Sequence, residues 1–265
     1  MIKQKNVFEL LSEKWKIKDK SFLLEIINYL EKGVKKEYSF RDGFEFSLVE
    51  KKPSLRLVHL YFWQPKLSPQ IVQEIIKERE KNITYIFQKI SQQFNSSYNL
   101  SLLQSFFKFN RNTGLWPIQF GLEYQKESSL KIKIYLSLEE KYSERKAIFS
   151  LKNFSDYFNL NFLNLNKLFN NKNFDTVAID FLPANKYLFK FYPYSQKNRG
   201  YLYRILPFST VESVKIWQRF PEGLLFEEIP KKFCFSSALK KIIEKNKFKI
   251  HYLCQEKNKR SIYFR

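Results

Sequence analysis

The hydrophobic positions of this chain follow two periods, one of three to four residues and one of two. Apolar side chains recur every three or four positions in residues 21–31 (SFLLEIINYLE), which predicts an amphipathic helix. They recur every second position in residues 42–50 (DGFEFSLVE) and, after the turn from Lys51 to Pro53, in residues 54–63 (SLRLVHLYFW). Alternation of this kind is typical of strands with one buried face, so the region predicts a helix followed by a hairpin.

The same order of helix, strand, turn and strand recurs along the chain. Further helices are predicted at residues 7–15, 69–90, 100–107, 154–169 and 236–245. Further strands are predicted at residues 117–124, 128–138, 175–181, 186–192, 212–220, 224–229, 248–254 and 260–264, with a loop around Gly200 and a turn at residues 221–223. The pattern therefore predicts five consecutive two-strand units with helical segments between them.

Strands that are joined by short turns are antiparallel, so this order argues against a doubly wound parallel sheet. Ten antiparallel strands can close into one barrel that leaves no unpaired edge, with the helices outside. We therefore expect an α+β fold, a ten-stranded antiparallel β-barrel built from repeated β-hairpins with helices packed outside, in a single domain over residues 1–265. The alternative is an open α+β sandwich whose second sheet face lies in water.

One predicted strand, SSLKIKIYLSL at residues 128–138, places Lys131, Lys133 and Tyr135 on the face opposite its leucines and isoleucines. In a barrel these polar side chains point into the lumen, whereas in an open sheet they lie in water. The inward phase of the other strands adds Glu45 on the first strand, Arg56 on the second, Lys190 and Tyr192 on the sixth and Lys215 on the seventh. Glu123 and Asp180 are further candidates, but the short strands leave their phase open.

A lumen of this composition suits a negatively charged ligand, because a buried ammonium group is costly unless it is paired. Several converging lysine and arginine side chains suit a diphosphate. Phe62, Tyr135, Tyr192 and Trp217 share strand faces with these basic groups, and an aromatic ring stabilises a cation by about 0.5–2 kcal/mol. Together the two features suit ionisation of an allylic diphosphate and transfer of its carbocation to a nucleophile. The alternative for each ring is ordinary core packing.

The charge of the chain is strongly positive, since 47 Lys and Arg against 26 Asp and Glu give a net charge of +21. Such a surplus attracts polyanions: nucleic acid, acidic peptides or phosphorylated small molecules. The alternative source is the codon bias of an AT-rich genome. The sequence contains neither a GxxxxGK[ST] loop nor a GxGxxG turn, so it indicates no nucleoside-triphosphate or dinucleotide fold.

The cysteines and apolar runs exclude other classes. The two cysteines, Cys234 and Cys254, predict neither a disulfide framework nor a zinc site, and we expect both to be buried small hydrophobes. No protein ligand of a metal is predicted. The N-terminal residues carry charges too often for a signal-peptide core, and no apolar run approaches the ~20 residues of a membrane span. We therefore expect a soluble, cytoplasmic protein.

Three segments resemble the cyanobactin-type peptide prenyltransferases. They are FRDGFEFSLVEKKPSLRLVHLYFW (40–63), GLEYQKESSLKIKIYLSLEEKYSERKA (121–147) and FDTVAIDFLPANKYLFKFYPY (174–194), which keep the order of that family's first three hairpins. Beyond Gly200 the likeness fades. The resemblance implies the α-β-β-α prenyltransferase barrel and the transfer of an isoprenyl group from a diphosphate donor, assisted by Mg²⁺, to a ribosomally made, usually cyclic, peptide.

The resemblance also implies roles for single residues. Glu45 matches the carboxylate that orients or deprotonates the acceptor. The diphosphate-binding positions match Arg56, Lys131, Lys133, Lys190 and Tyr192, and the residues that would shield the cation are Phe62 and Tyr135. Strand phase alone adds Lys215 to the diphosphate-binding residues and Trp217 to the residues that would shield the cation. One departure is that the family's arginine falls at Val58, which is two residues, or about 7 Å, along the same strand face from Arg56.

We therefore expect a monomeric peptide prenyltransferase whose donor is dimethylallyl or geranyl diphosphate. Like that family, the chain lacks the aspartate-rich motif of farnesyl-type synthases, since it contains no adjacent Asp pair. The alternative is a nucleic-acid-binding protein that uses its net charge and exposed aromatic rings for phosphate contacts and base stacking. Against that alternative, the basic residues do not cluster in an arm or on one helix, and no recognition motif is present.

Overall fold

Ten strands form one closed antiparallel barrel in the computed structural model. The structure describes residues 8–9, 11–13, 17, 19–32, 35–49, 52–125, 130–137, 151–169, 174–193, 199–207, 210–230, 237–256 and 259–264. The strands are β1 (Ser39–Val49), β2 (Lys52–Trp63), β3 (Ile118–Gln125), β4 (Leu130–Ser137), β5 (Phe174–Phe181), β6 (Tyr187–Pro193), β7 (Arg199–Ile205), β8 (Val211–Leu224), β9 (Ile250–Glu256) and β10 (Lys259–Phe264). Each strand pairs with the next one along the chain, and β10 pairs with β1 to close the barrel, with Phe264 opposite Phe46. The expected α+β barrel is confirmed, and the open sandwich is wrong.

Helices precede four of the five hairpins. A short helical segment, α1, covers residues 8–9 and 11–13, and the longer helices are α2 (Lys20–Lys32), α3 (Pro69–Gln93), α4 (Leu100–Thr113), α5 (Leu151–Tyr157), α6 (Phe162–Phe169) and α7 (Ser237–Lys245). The helix α3 begins where the sequence predicts, because the Ser68 hydroxyl accepts a hydrogen bond from the amide of Ile71 and Pro69 occupies the first turn. None of the described helices is both long enough and apolar enough to cross a bilayer.

The hydrophobic core lies between the outside of the barrel and the helices. The even-numbered side chains of β4, among them Ile132 and Ile134, are fully buried there. Helix α3 contributes Phe87, whose ring meets the ring of Phe181 on β5 edge to face, with centroids 5.0 Å apart. Because successive strand residues point to opposite faces, burying the apolar face against the helices directs the polar face of each strand into the barrel.

The fourth hairpin differs from the sequence prediction. The expected loop around Gly200 is strand β7, and the strand and turn expected at 212–223 are both part of the long strand β8. The turn residues form an irregularity within β8, where the register shifts between Arg219 and Leu224 and Gly223 takes a positive φ of 73°. The segment LLFEEI contains a 3₁₀ turn, Phe226–Glu228, instead of a strand. As a result Lys215 lies on the eighth strand and not on the seventh.

Some predicted features lie outside the described residues. They are the turns at residues 126–128 and 257–258, the charged segment 139–147 and Cys234. Cys254 is described, and its thiol is buried and free of any disulfide, as the sequence predicts for a small hydrophobe.

Two leucines of the outer helices test whether the core between helices and barrel stabilises the fold. Leu103 on α4 is fully buried, whereas Leu163 on α6 is 70% exposed. We expect Leu103→Ala to lower the free energy of unfolding by about 2–5 kcal/mol, and Leu163→Ala to change it by less than about 0.5 kcal/mol. Urea unfolding followed by circular dichroism measures both values. Equal losses for the two variants would contradict this location of the core.

Candidate functional site

The register of the strands brings a series of polar side chains onto the inner face of the barrel. Residues that are opposite each other in an antiparallel pair point to the same face of the sheet. Arg56 is opposite Glu123, Glu123 is opposite Lys131, Lys133 is opposite Asp180 and Lys190 is opposite Arg204. The inner face therefore carries ionisable groups on consecutive strands. Lys131 keeps 20% of its side chain exposed, so solvent reaches this face.

Glu123 on β3 is the first acidic centre of the lumen. Its Oε2 atom lies 3.0 Å from Nε of Arg56 on β2, and its Oε1 accepts a hydrogen bond of 3.2 Å from Nη2 of the same guanidinium. The ammonium of Lys133 on β4 donates to Oε2 at 2.5 Å. One carboxylate thus joins three strands, and each of its two partners is a cation that the sequence predicts for the diphosphate site.

Asp180 on β5 is the second acidic centre and is completely buried. Lys190 on β6 forms a close ion pair with its Oδ1 atom. Lys131 on β4 lies on the other side, with its Nζ atom 3.9 Å from Oδ2. Like Glu123, Asp180 is shared by two bases, and one of the two pairs is looser than the other.

Three residues that sequence analysis did not identify complete the lining. Arg204 on β7 forms an ion pair of 2.8 Å with Glu256 on β9. On β10 the hydroxyl of Tyr263 accepts a hydrogen bond of 3.0 Å from Lys215, whose ammonium also lies 5.0 Å from the centre of the Tyr263 ring. Arg204 was missed because its strand was assigned to a loop, whereas Tyr263 could have been found from the alternation in RSIYF.

We call the ionisable residues of this lining the charge girdle: Glu45, Arg56, Glu123, Lys131, Lys133, Asp180, Lys190, Arg204, Lys215 and Glu256. Glu45 belongs to it because it is buried on β1 opposite Val58, whose own partner on β3 is Gly121 on the inner face. Six cations thus face four carboxylates. These ten residues therefore carry a surplus of two positive charges, since Glu123 and Asp180 both point inward. Two further cations, Lys259 opposite Glu256 and Arg219 opposite Tyr252, lie on the same face of the sheet outside this set.

Burial disfavours charge, so the carboxylates remain ionised only through their basic partners. Burial alone would raise the pKa of Asp180, but Lys190, Lys133 and Lys131 together lower it to about 2. Burial would likewise raise the pKa of Glu123, yet its two basic partners hold that pKa well below its ordinary value. Both carboxylates are therefore ionised at neutral pH.

The bases are affected by burial in the opposite direction. Burial, opposed by Asp180 and assisted by Arg204, lowers the pKa of Lys190 to about 8. For Arg56 burial also disfavours the charge, but Glu123 outweighs it and raises the pKa of the guanidinium above its ordinary value. Burial, opposed by Glu123, also holds the pKa of Lys133 well below its ordinary value. Both buried lysines thus lose their charge more readily than an exposed lysine does.

Aromatic rings border the girdle. The rings of Tyr135 and Tyr192 have centroids 6.4 Å apart, and the ammonium of Lys190 lies 5.2 Å from the centre of the Tyr135 ring. On the other wall Trp217 meets Tyr252 edge to face at 6.4 Å. Three of the predicted shielding or binding rings, those of Tyr135, Tyr192 and Trp217, therefore face the lumen. Partly exposed rings of this kind present their faces to a ligand.

Trp217 lies against the wall because the neighbouring strand has a glycine at that point. Gly200 is opposite Trp217, and a Cβ atom at Gly200 would lie 2.6 Å from the indole ring. Gly121 has a similar place on β3, where a Cβ atom would lie 3.2 Å from the Cβ of Lys133. Gly200 thus leaves space that the indole ring fills, and at Gly121 a Cβ atom would be tight against Lys133 but would require only a small shift.

Phe62 is the predicted site residue that the structure does not bring to the girdle. Its ring contacts are with Phe40, at 5.7 Å, and with the guanidinium of Arg41, at 5.5 Å. Six residues separate it from Arg56 along β2, which corresponds to roughly 20 Å. Phe62 therefore lies on the predicted inner face of β2, but near the end of the strand that is distant from Arg56.

The family resemblance implies Mg²⁺ that accompanies the diphosphate and not an ion held by protein ligands. The girdle carboxylates do not fit a protein-held Mg²⁺ either. Magnesium prefers carboxylate oxygens that are available to it in octahedral geometry. Here Glu123, Asp180 and Glu256 already bind arginine or lysine side chains. Within the described ranges, no three His, Cys, Asp or Glu side chains are placed to hold a metal ion.

No protein-family model matches this chain, and no curated protein is similar to it in sequence.

Variants of Asp180 and Asp156 allow the stabilisation from a shared buried ion pair to be compared with that from an exposed one. The pKa of Asp180 lies below its ordinary value of 3.8, so its stabilising effect is complete above about pH 4 and is lost as the pH falls toward 2. We expect Asp180→Asn to lower the free energy of unfolding at pH 7 by about 3–5 kcal/mol. Asp156→Asn, which breaks an exposed pair with Lys152, should cost less than about 1 kcal/mol.

Urea unfolding between pH 7 and pH 2 measures these differences. The gap between the natural chain and Asp180→Asn should narrow as the pH falls below 4. A gap that is independent of pH would show that the charge of Asp180 does not stabilise the barrel.

Proposed function

We propose that this protein is a peptide prenyltransferase that moves an isoprenyl group from dimethylallyl or geranyl diphosphate to a peptide. The observation that supports this function most is the charge girdle, a net positive lining inside a closed barrel with aromatic rings beside it. A diphosphate carries the charge that the girdle attracts, and an allylic cation carries the charge that aromatic faces stabilise. The resemblance of the first three hairpins to cyanobactin-type enzymes points the same way.

The first chemical step breaks the bond between C1 of the prenyl group and the diphosphate oxygen, and the electron pair leaves with the diphosphate. Lys131 and Lys133 donate hydrogen bonds to its oxygens. The remaining positive lining, which strengthens the field at the leaving group, consists of Arg56, Lys190, Lys215 and the hydroxyl of Tyr192. Preorganised donors that face developing charge are the largest source of rate enhancement in many enzymes.

The second step forms the new bond. The cation is held against the rings of Tyr135, Tyr192 and Trp217 while the nucleophile of the acceptor peptide attacks C1. The proton that the nucleophile loses passes to Glu45, which is buried on β1 within the same lining. The products are the prenylated peptide and diphosphate.

The girdle gives no support to nucleic-acid binding. Its cations point into a closed barrel, whereas a duplex is bound on an outer surface through many phosphate contacts. The arguments for that function remain the net charge of +21 and exposed aromatic rings such as Tyr201.

A double lysine variant tests the proposed leaving-group contacts. We expect Lys131→Ala with Lys133→Ala to reduce transfer by at least about 100-fold, because two charge-assisted hydrogen bonds to the diphosphate are lost. The assay incubates the purified protein with each donor and peptides that contain Tyr, Trp, Ser, His or Arg, and detects the added prenyl mass. The matched control is Lys152→Ala with Lys240→Ala, which removes two lysines from exposed pairs.

Circular dichroism should show the same fold for both double variants, since Glu123 keeps Arg56 and Asp180 keeps Lys190. Absence of transfer by the natural chain with either donor, together with salt-dependent binding of RNA or DNA, would favour the nucleic-acid function instead.

Glu45→Gln tests the proposed base. We expect kcat to fall by about 10²–10⁴-fold with little change in the KM for the donor, because the amide cannot accept the proton but leaves the diphosphate contacts intact. Glu74→Gln, an exposed carboxylate on α3, is the control and should leave kcat unchanged. A change in donor KM alone would assign Glu45 to binding.

A further inference from the structure

The girdle pairs each of its two central carboxylates with two bases. Glu123 contacts Arg56 and Lys133, and Asp180 contacts Lys190 and Lys131. One base is sufficient to neutralise each acid, so the second base of each is available to a ligand without leaving a buried charge unpaired. In each case one of the two bases is a lysine of β4, Lys133 beside Glu123 and Lys131 beside Asp180.

A divalent cation would meet an unfavourable field at this place. Each ammonium or guanidinium of the girdle repels it. The oxygens of Glu123 already accept hydrogen bonds from Arg56 and Lys133, and Asp180 is already in ion pairs with Lys190 and Lys131. Magnesium also gives up its water molecules reluctantly, so it binds poorly where no set of oxygens replaces them.

We propose that the lumen binds the diphosphate of its donor as the free anion, with the ammonium groups of Lys131 and Lys133 in the place of a divalent cation. This inference rests on the proposed function, because it specifies the form of the donor that this site takes. It departs from the magnesium that the family resemblance implies.

Lys131 is the first contact for the entering anion. It is the more exposed of the two β4 lysines, at 20% of its side chain against 5% for Lys133, and its pair with Asp180 is long at 3.9 Å. An oxygen of the diphosphate replaces Asp180 as its partner, while Asp180 remains paired with Lys190. Lys133 then turns from Glu123, which keeps the guanidinium of Arg56.

Entry of an anion also changes the protonation of the buried bases. An anion in the lumen raises the pKa of Lys190, which stands at about 8 in the free protein. Above that pH the site therefore takes up a proton as the anion enters.

Titration calorimetry of the full chain with inorganic pyrophosphate tests the proposal. In the presence of EDTA we expect one bound anion per chain, and added magnesium should leave the affinity unchanged or weaken it, since it lowers the charge of the ligand. Lys131→Gln should weaken binding by about tenfold or more, whereas the exposed Lys152→Gln should not alter it. Binding only when magnesium is present, or equal affinities for the two variants, would overturn the proposal.

A second measurement does not depend on any variant. At pH 8.5 the dependence of the observed heat on the ionisation enthalpy of the buffer gives the net number of protons bound. After correction for the proton that pyrophosphate itself releases or keeps, we expect net uptake by the protein, and no uptake would contradict the assigned role of the lysines. The two proposals fail separately. Pyrophosphate binding in EDTA without prenyl transfer to any peptide would refute the transferase function but support the metal-free anion site. Prenyl transfer that requires magnesium would support the transferase function but refute the metal-free site.

Discussion

The sharing of two buried carboxylates, Glu123 and Asp180, by four bases is the interaction on which the lumen depends. Without them the barrel would enclose cations that have lost their water, at a cost of several kcal/mol each. With them, the strands from β2 to β6 are joined on the inside by ion pairs as well as by backbone hydrogen bonds. The same two carboxylates therefore stabilise the barrel and allow it to enclose positively charged side chains.

The sequence predicts the fold well wherever a strand alternates cleanly. In β4 every second residue is a leucine or isoleucine, and the helices that flank the hairpin leave no other place for that face. The prediction is wrong at β7 and β8, for a physical reason. On β7 the inner positions are Gly200, Leu202 and Arg204, so they do not form a uniformly polar face that alternates with an apolar one. On β8, Pro221 and Gly223 are typical of a turn although they occupy an irregular stretch within one long strand.

The candidate site shows where alternation stops being informative. Alternation determines the face on which a side chain lies, so the inward lysines and tyrosines were predicted. It does not determine the level along the barrel, which depends on pairing with strands that are distant in sequence. Phe62 has the correct face and lies roughly 20 Å from Arg56, whereas Glu123 and Asp180 meet their bases because the register of β3, β4 and β5 aligns them. The roles in prenyl transfer remain predictions.

The closure of the barrel determines when the girdle acquires its properties. The pairing of β1 with β10 joins Phe46 to Phe264, which are 218 residues apart, so a nascent chain cannot complete it until β10 has emerged from the ribosome. Until that moment the inner face is the concave side of an unfinished sheet, and bulk water screens its lysines and carboxylates from one another. The electric field that would hold an anion thus depends on β10, because the inner face is enclosed only when that strand has paired with β1.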